Sequence, residues 1–448
     1  MRTNKNNKGL VLVAVLWMVV VLLTIVAVVG RTTRLDTKVS IAGLEQVRCK
    51  WACRAGMEHA IAVLIEDLRE SDSLTDTWSD NTDFNNVMLE QCRVRIQVTE
   101  EAGKLNINTM TREQLLLLPY MDERIADTII DWRDADDTPT GEGVEGGYYQ
   151  NLPFKYNIRN GPFKTTRELL LVRDVTEDLF YGKNTNLNGQ LGLSNTAGTS
   201  SPSSPASLIT SNTGQPATSG TGLYDQGWIS YLTCYANDRD VDANGNPKTN
   251  INQADEGQLQ QSLGITAGQA RWIVQRRSSG NFQSIADLLS DGTSGSTSQQ
   301  SSQGSGSGGN QGEPIDTQTF IQIADKITIG GNAQGKININ TVPEEVLTIL
   351  LGGTDTDREL AMSMVAYRAT LAYGMQSIGE LMNVQSMNIE TFKRIANNIT
   401  VRSDVFTIRC VATAIRANQD GTTLVTEAVV DRSKTPCQVL YWYQGAGN

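Results

Sequence analysis

The chain has 448 residues, with 38 Lys and Arg against 49 Asp and Glu and a formal net charge of −11. That length holds roughly two to four domains with cores of their own, and the acidic balance repels nucleic-acid phosphates and anionic lipid headgroups. Six cysteines and a single histidine, His59, are too few for a disulfide scaffold, a His-rich zinc site or a spread-out Ser–His–Asp triad, and no enzyme site stands out.

The chain opens with a short basic leader, residues 1–9, holding Arg2, Lys5 and Lys8 and ending on Gly9. From Leu10 to Val29 the only polar side chain is Thr24. Such a run, at about 1.5 Å per residue, spans the ~30 Å of a bilayer core, which predicts a transmembrane helix over 10–30. It is longer than a secretory signal core, and the following GRTTRLDTK offers no small-x-small cleavage site. Two readings stay open, a plain signal anchor and cleavage between Gly9 and Leu10 that makes Leu10 the new amino terminus. The second resembles type IV pilins and pseudopilins. It departs from most of them at the fifth mature position, where Glu is usual and Ala14 stands here. Loss of the three basic leader residues would take the net charge from −11 to −14.

Past the membrane run, Leu35, Val39, Leu44, Val47, Trp51 and Ala55 recur three to five residues apart, with charged residues between them. This predicts one helix from Leu10 to about Glu70. Arg93-Val-Arg-Ile-Gln-Val98 then alternates as a strand does. A long helix laid on an antiparallel sheet is an α+β arrangement.

A repeat follows: GKLNINT at 103–109, KTNINQA at 248–254 and GKININT at 335–341. Each precedes an apolar helix, a second helix ending on Arg, and a Phe- or Met-bearing turn into a third helix. Asn or Thr ahead of each first helix reads as its cap. The pattern resembles helix-hairpin-helix (SAM-like) units, many of which grip DNA phosphates through a Gly-rich hairpin. Here the hairpin segments are PYMDER, GITAGQA and GGTDTDRE, two of them acidic. Packing modules are the expectation, with no nucleic acid as partner.

In the first unit, Asp131, Asp134, Asp136, Asp137, Glu142 and Glu145 crowd a Gly-rich insertion flanked by Trp132, Tyr148 and Tyr149. Either this is a solvated acidic loop or it wraps a hard cation such as Ca²⁺, which takes six to eight oxygens. Asp240, Asp242 and Asn244 match the start of an EF-hand loop, but its twelfth position is Ile251 instead of Glu. A turn leading into the second unit is the favoured alternative there.

Residues 183–222 and 291–312 are low in complexity and expected to be mobile loops. Trp228–Tyr235 reads as a strand, and so do Val405–Ile415, TTLVTEAVVDRS and QVLYWYQ. The last three need a partner, and the helix over 31–70 and the strand over 93–98 are left without one. The helical units are therefore read as inserted into a single helix-on-sheet domain. The expected division is leader 1–9, membrane helix 10–30, helix and first strand 31–98, and first unit 99–182. A loop 183–222, second unit 223–290, loop 291–312, third unit 313–402 and final strands 403–448 complete it. In that fold Cys92 is placed near Cys410 or Cys437 as a possible disulfide.

Taken in order, the leader ending on Gly9, Ala14 in place of Glu, EEAGKLNINT, DWRDADDTPTGEGVEGGYY, GPFKTTRELLLV and the recurring N-I-N resemble the K-type minor pseudopilins of type II secretion systems. The resemblance implies a pilin-like fold with an inserted α-helical domain that is associated with calcium, and no enzymatic activity. It implies a prepilin peptidase cutting after Gly9, methylation of Leu10, and an inner-membrane anchor with a periplasmic body. The implied partners are the I- and J-type minor pseudopilins, in a tip complex that starts assembly of the major pseudopilin. The third helical unit and the Ser/Gly-rich loops depart from that pattern.

Overall fold

The structure, a computed structural model, describes residues 8–182, 227–236, 238–289, 312–330, 335–416 and 419–446. The stretch 183–222, and 291–312 except its final glycine, lie outside them, as does the leader before Lys8. A single helix, α1, runs Lys8–Glu66. Among the described residues it is the one helix long and apolar enough to cross a membrane. Its large apolar side chains from Leu12 to Val29 are all exposed. Burial begins further along, where Cys49, Cys53, Met57, Ala60 and Leu64 recur every three or four residues and so share one face. The chain then forms β1 (Val87–Leu89) and β2 (Cys92–Glu100), an antiparallel pair.

From β2 the chain enters a helical domain of three units, each opened and closed by two-residue strands paired in parallel. The first contains β3 (Leu105–Asn106), α2 (Arg112–Leu116), α3 (Glu123–Arg133), α4 (Gly146–Gln150), a 3₁₀ turn at Thr166–Leu171, α5 (Glu177–Tyr181) and β4 (Leu232–Thr233). In the second come β5 (Thr249–Asn250), α6 (Glu256–Leu263), α7 (Ala267–Ser278), a 3₁₀ turn at Ile285–Leu288, α8 (Thr317–Ile323) and β6 (Ile327–Thr328). The third has β7 (Ile337–Asn338), α9 (Glu344–Leu351), α10 (Asp355–Arg368), a 3₁₀ turn at Ile378–Asn383, α11 (Ile389–Ile395) and β8 (Ile399–Thr400). All three share one core, and Phe320 of α8 meets Phe392 of α11 edge to face at 5.8 Å.

Three expectations change here, beginning with the first unit, which does not end at 182 because β4 pairs with β3. The second unit does not end at 290, because β6 pairs with β5 and brings α8 into the unit. Trp228–Tyr235 is a 3₁₀ turn followed by a two-residue strand. There Trp228 is buried and donates its Nε1–H to Pro119 O at 2.8 Å, so its apolar content serves the helical core.

The Asn of the repeats are not helix caps; Thr111, Asp255 and Pro343 hold those positions. In each N-I-N, the first Asn accepts the N–H of the second through its side chain. The second Asn then clamps the backbone of the distant turn, accepting its N–H and donating to its C=O: Asn108 on Phe163, Asn252 on Phe282 and Asn340 on Met375. The Arg that ends each second helix donates to two carbonyls of the same loop, Arg133 to Ile107 and Met110, Arg277 to Ile251 and Ala254, Arg368 to Ile339 and Val342. The repeated residues thus satisfy buried backbone groups. Asn340→Ala is expected to cost about 2–4 kcal/mol, since it strands two buried Met375 groups. Asn108→Ala, at a half-buried position, should cost less than half as much, as read by urea unfolding.

Two of the hairpins, too, are occupied. Gly353, in the turn before α10, has φ +82°, and a Cβ there would sit 2.6 Å from Leu117 in the turn before α3. Two of the three hairpins therefore pack on each other and do not present bare amides to a ligand.

The chain returns as β9 (Val405–Arg416), β10 (Gln419–Asp431) and β11 (Gln438–Ala446). The sheet order is β1-β2-β9-β10-β11, antiparallel throughout, so the helical domain is inserted between adjacent strands β2 and β9, as the sequence reading requires. Apolar residues of one face, Val94, Ile96, Ile408, Ala412 and Ala428 among them, pack on α1. The closest approach is at Gly56, where a Cβ would lie 3.1–3.3 Å from Val94, Ile96 and Cys410.

The disulfide expected between Cys92 and Cys410 or Cys437 does not form. Cys92 stands opposite Ala414, while Cys410 stands opposite Ile96, four residues along the strand, and Cys437 lies beyond the other end of β10. Cys49 Sγ is the thiol near Cys92, at 3.9 Å, and all six cysteines are free.

Candidate metal centre

Helix α3 fixes the base of the acidic loop. It is capped by Asp122, whose Oδ1 accepts from Ile125 N at 2.8 Å, and Trp132 anchors its far end against Tyr149 and Phe163. Asp127 and Asp131, four residues apart, share a face of α3. Over that face the loop from Asp134 to Glu145 folds back. Glu142 N donates to Asp127 Oδ2 at 3.0 Å and Thr140 N to Asp131 Oδ1 at 2.8 Å. The fold-back is tight enough that a Cβ at Gly143 would collide with the Asp131 carboxylate.

Of the six carboxylates read from the sequence, the structure brings three together. Oxygens of Asp131, Asp134 and Glu145 lie within 4.8 Å of one another, with Asp131 and Glu145 buried and Asp134 half-buried. Asp131 Oδ2, Asp134 Oδ1 and both Glu145 oxygens are shielded from solvent with no hydrogen-bond partner among the described residues. The other three point elsewhere. Asp136 caps Thr138 N at 2.8 Å, Asp137 accepts from Asn160 Nδ2 at 2.9 Å, and Glu142 is exposed.

Burial and mutual repulsion raise the pKa of this trio. Desolvation first, then Asp131 and Asp134, push Glu145 up to about 7; desolvation also raises Asp131, helped by Asp127 and Asp136, and Asp134, helped by Asp136 and Asp131. Neither nearby Arg neutralises them, since Arg112 is committed to Asp127 at 2.6 Å and Arg133 to backbone carbonyls. Orphaned buried carboxylate oxygens this close fit one hard cation, because oxygens bound to one Ca²⁺ at 2.3–2.6 Å lie at most about 5 Å apart.

Two contributors escaped the sequence reading. Asp127 fastens the loop, and its signal is the i, i+4 spacing to Asp131. Asn160, at φ +44°, donates to Asp136 O and Asp137, while its own buried Oδ1 has no partner. It is a further neutral oxygen beside the loop, and only its place in an Asn-Gly turn hinted at it.

The second candidate is not built for a cation. Lys336 Nζ sits 3.1 Å from Asp240 and 2.9 Å from Asp238, and Asp242 Oδ1 accepts the N–H of Asn244 and Asn246 inside a tight hairpin. The turn reading holds there. In another acidic group, Asp67 and Asp72 already hold the guanidinium of Arg432, and Asp76 accepts from Ser73. His59 packs edge to face on Phe84.

The chain is 31% identical over 197 residues to type II secretion system protein K of Pseudomonas aeruginosa, covering 38% of this chain and 58% of that relative's length. A crystal structure of the GspK-GspI-GspJ complex from the enterotoxigenic Escherichia coli type 2 secretion system superposes on 91% of this chain and 99% of that one. Its identity is 13% and its TM-score 0.47, values that assign no function or partner here. The family model for type II secretion system (T2SS), protein K, matches residues 100–181, the span from the end of β2 to the end of α5 that contains the acidic loop. Over residues 100–181 the chain thus matches the type II secretion system protein K family.

Proposed function

We propose that this chain is a minor pseudopilin of a type II secretion system, held in the inner membrane by α1 with its body in the periplasm. The observation that carries it is one continuous helix whose first half is bare apolar surface and whose second half is the core of a sheet interrupted by a protein K domain. A filament subunit needs such a helix twice, first as a membrane anchor and then packed among its neighbours. Ala14 supplies no carboxylate to pair with the amino terminus of a subunit above it. The helical domain adds bulk that would clash inside a shaft. Both features suit the tip, in a complex with I- and J-type minor pseudopilins that starts assembly of the major pseudopilin. The role is structural and not enzymatic.

In this reading calcium is held by Asp131, Asp134 and Glu145, with Asn160 alongside, and it fixes the loop against α3. A prepilin peptidase cuts after Gly9 and Leu10 becomes the methylated amino terminus. Amino-terminal sequencing of the chain from membranes is expected to begin at Leu10, and Gly9→Ala or a bulkier change to block processing. A mature start at Met1 or Arg31 would overturn this. Tight, salt-sensitive DNA binding by the full chain would favour a competence-type role, which the packed hairpins and the acidic charge oppose.

A further inference from the structure

Between the sheet face turned away from α1 and the first helical unit lies a cleft of about 110 Å³. That is several times the ~10–15 Å³ needed to seat one water. Arg409, in the middle of β9, lines it and is only 8% exposed. Among the described residues its guanidinium makes no hydrogen bond or ion pair, which leaves its five N–H donors to the cleft. Arg167 lines the same cleft, stacked over Tyr443 at 4.3 Å, and the rim adds Ser230, Tyr235 and Tyr441.

The carboxylates nearby do not serve Arg409. Glu101 is buried and already takes Lys104 Nζ at 3.0 Å, the Thr407 hydroxyl at 2.7 Å and the Thr233 hydroxyl. Glu427, directly across the ladder from Arg409, makes its ion pair with Arg167 at 3.8 Å. With Lys104, Arg167 and Arg409 against Glu101 and Glu427, the lining carries one uncompensated positive charge, and it sits on the most buried of the three cations. A guanidinium set into a narrow cleft without a protein acceptor is poorly solvated, and a planar two-oxygen face is the partner it matches.

We propose that this cleft binds one small oxyanion, a carboxylate or a sulfate- or phosphate-type group, seated on Arg409 with Arg167 at its mouth. The anion then bridges the sheet and the first helical unit, which meet at this cleft. The site lies apart from the acidic loop and does not depend on calcium.

The test is thermal unfolding and calorimetric titration of the full chain in detergent with sulfate, and separately with acetate, against chloride at matched ionic strength. At about 1–10 mM, below the range of general salting-out, sulfate is expected to raise the melting temperature by about 2–4 °C. A rise with acetate as well identifies the carboxylate as a ligand, and a rise with sulfate alone restricts the site to tetrahedral anions. Arg409→Met should abolish the response, Arg167→Gln should weaken binding several-fold, and Glu427→Gln should tighten it by removing the competing charge. No anion-specific shift in the wild type overturns the proposal, as does an undiminished shift in Arg409→Met. Should that variant not fold, unchanged affinity in Arg167→Gln or weakened affinity in Glu427→Gln overturns it equally.

Discussion

Chelating divalent cations is expected to lower the melting temperature of the full chain by about 5–10 °C near pH 8, the effect of losing a ligand held at roughly a hundred times its dissociation constant or more. Added calcium should restore it. The reason lies in Asp131, Asp134 and Glu145, whose inward oxygens have no other partner. Without a cation these charges repel one another in a desolvated pocket, and the loop from Asp134 to Glu145 loses what presses it on α3. Proton binding gives the matching pH dependence. The folded-state pKa of Glu145, about 7, exceeds the usual carboxylate value. The cation-free folded protein therefore holds more protons than the unfolded chain between about pH 4 and 7, and its stability falls as pH rises through that window. Calcium competes with those protons, so the penalty for chelation should be full at pH 8 and largely gone at pH 5. Asp131→Asn and Glu145→Gln should remove the sensitivity to chelator, and in chelator they should melt no lower than the wild type because repulsion is relieved. Asp136→Ala and Glu142→Ala, whose carboxylates face solvent or cap a turn, should leave it intact. A wild type whose melting is the same with and without chelator at pH 8 would refute the metal centre.

Where the sequence spoke clearly, one residue type at one spacing had one physical use. The alternation of Arg93–Val98 and of the last three strands led directly to a helix-on-sheet domain interrupted by helices, because period-two burial has few other solutions. The three N-I-N copies were plain as a repeat and misread as caps. Asn is a good cap and a good backbone clamp, and the choice depends on a turn 30 to 55 residues away. The acidic loop was visible as charge density, but which three of six carboxylates converge was not, since that follows from where Asp127 and Asp131 fasten the loop to α3. Trp228–Tyr235 has the composition of a strand, and a helical core consumes the same side chains. The pairing of Cys92 depended on strand register, which the hairpin geometry sets and the sequence does not display. Arg409 and Arg432 look alike in the sequence, as single arginines in or just beyond β-rich segments. Only the fold separates the one without a partner among the described residues from the one paired with two carboxylates.

Arg432→Met is expected to cost about 3–5 kcal/mol, among the largest effects of any single side chain here, because it leaves buried carboxylates without their cation. Arg432 is almost wholly buried under the end of α1, its guanidinium 2.6 Å from Asp72, 2.9 Å from Asp67 and stacked 4.7 Å over Phe406. Asp72 in turn accepts Ser403 N at 2.7 Å, and its backbone carbonyl takes Asn338 Nδ2, which also donates to Glu100 at 2.8 Å. One cation thus ties the end of α1, the ends of β2 and β10, and the third helical unit into a single joint. Two carboxylates on one guanidinium, with Glu100 close behind them, cannot all ionise cheaply. Burial pushes Asp72 up to about 7 and, with Asp72 nearby, Glu100 up to about 8, and Glu100 Oε2 has no hydrogen-bond partner. Both raised values mean that folding takes up protons between about pH 4 and 8, so this joint loosens as pH rises through that range. Removing Arg432 raises them further. Its cost in urea unfolding should therefore be full above pH 8 and shrink toward pH 5, where protonated Asp72 tolerates burial. Asp72→Asn should cost less than Arg432→Met and flatten the pH profile, since it keeps the guanidinium paired with Asp67, discards one of the two titrating groups and removes a charge that raises the other, Glu100. A penalty for Arg432→Met that is the same at pH 5 and pH 8 would show that packing on Phe406, and not charge, is what this residue contributes.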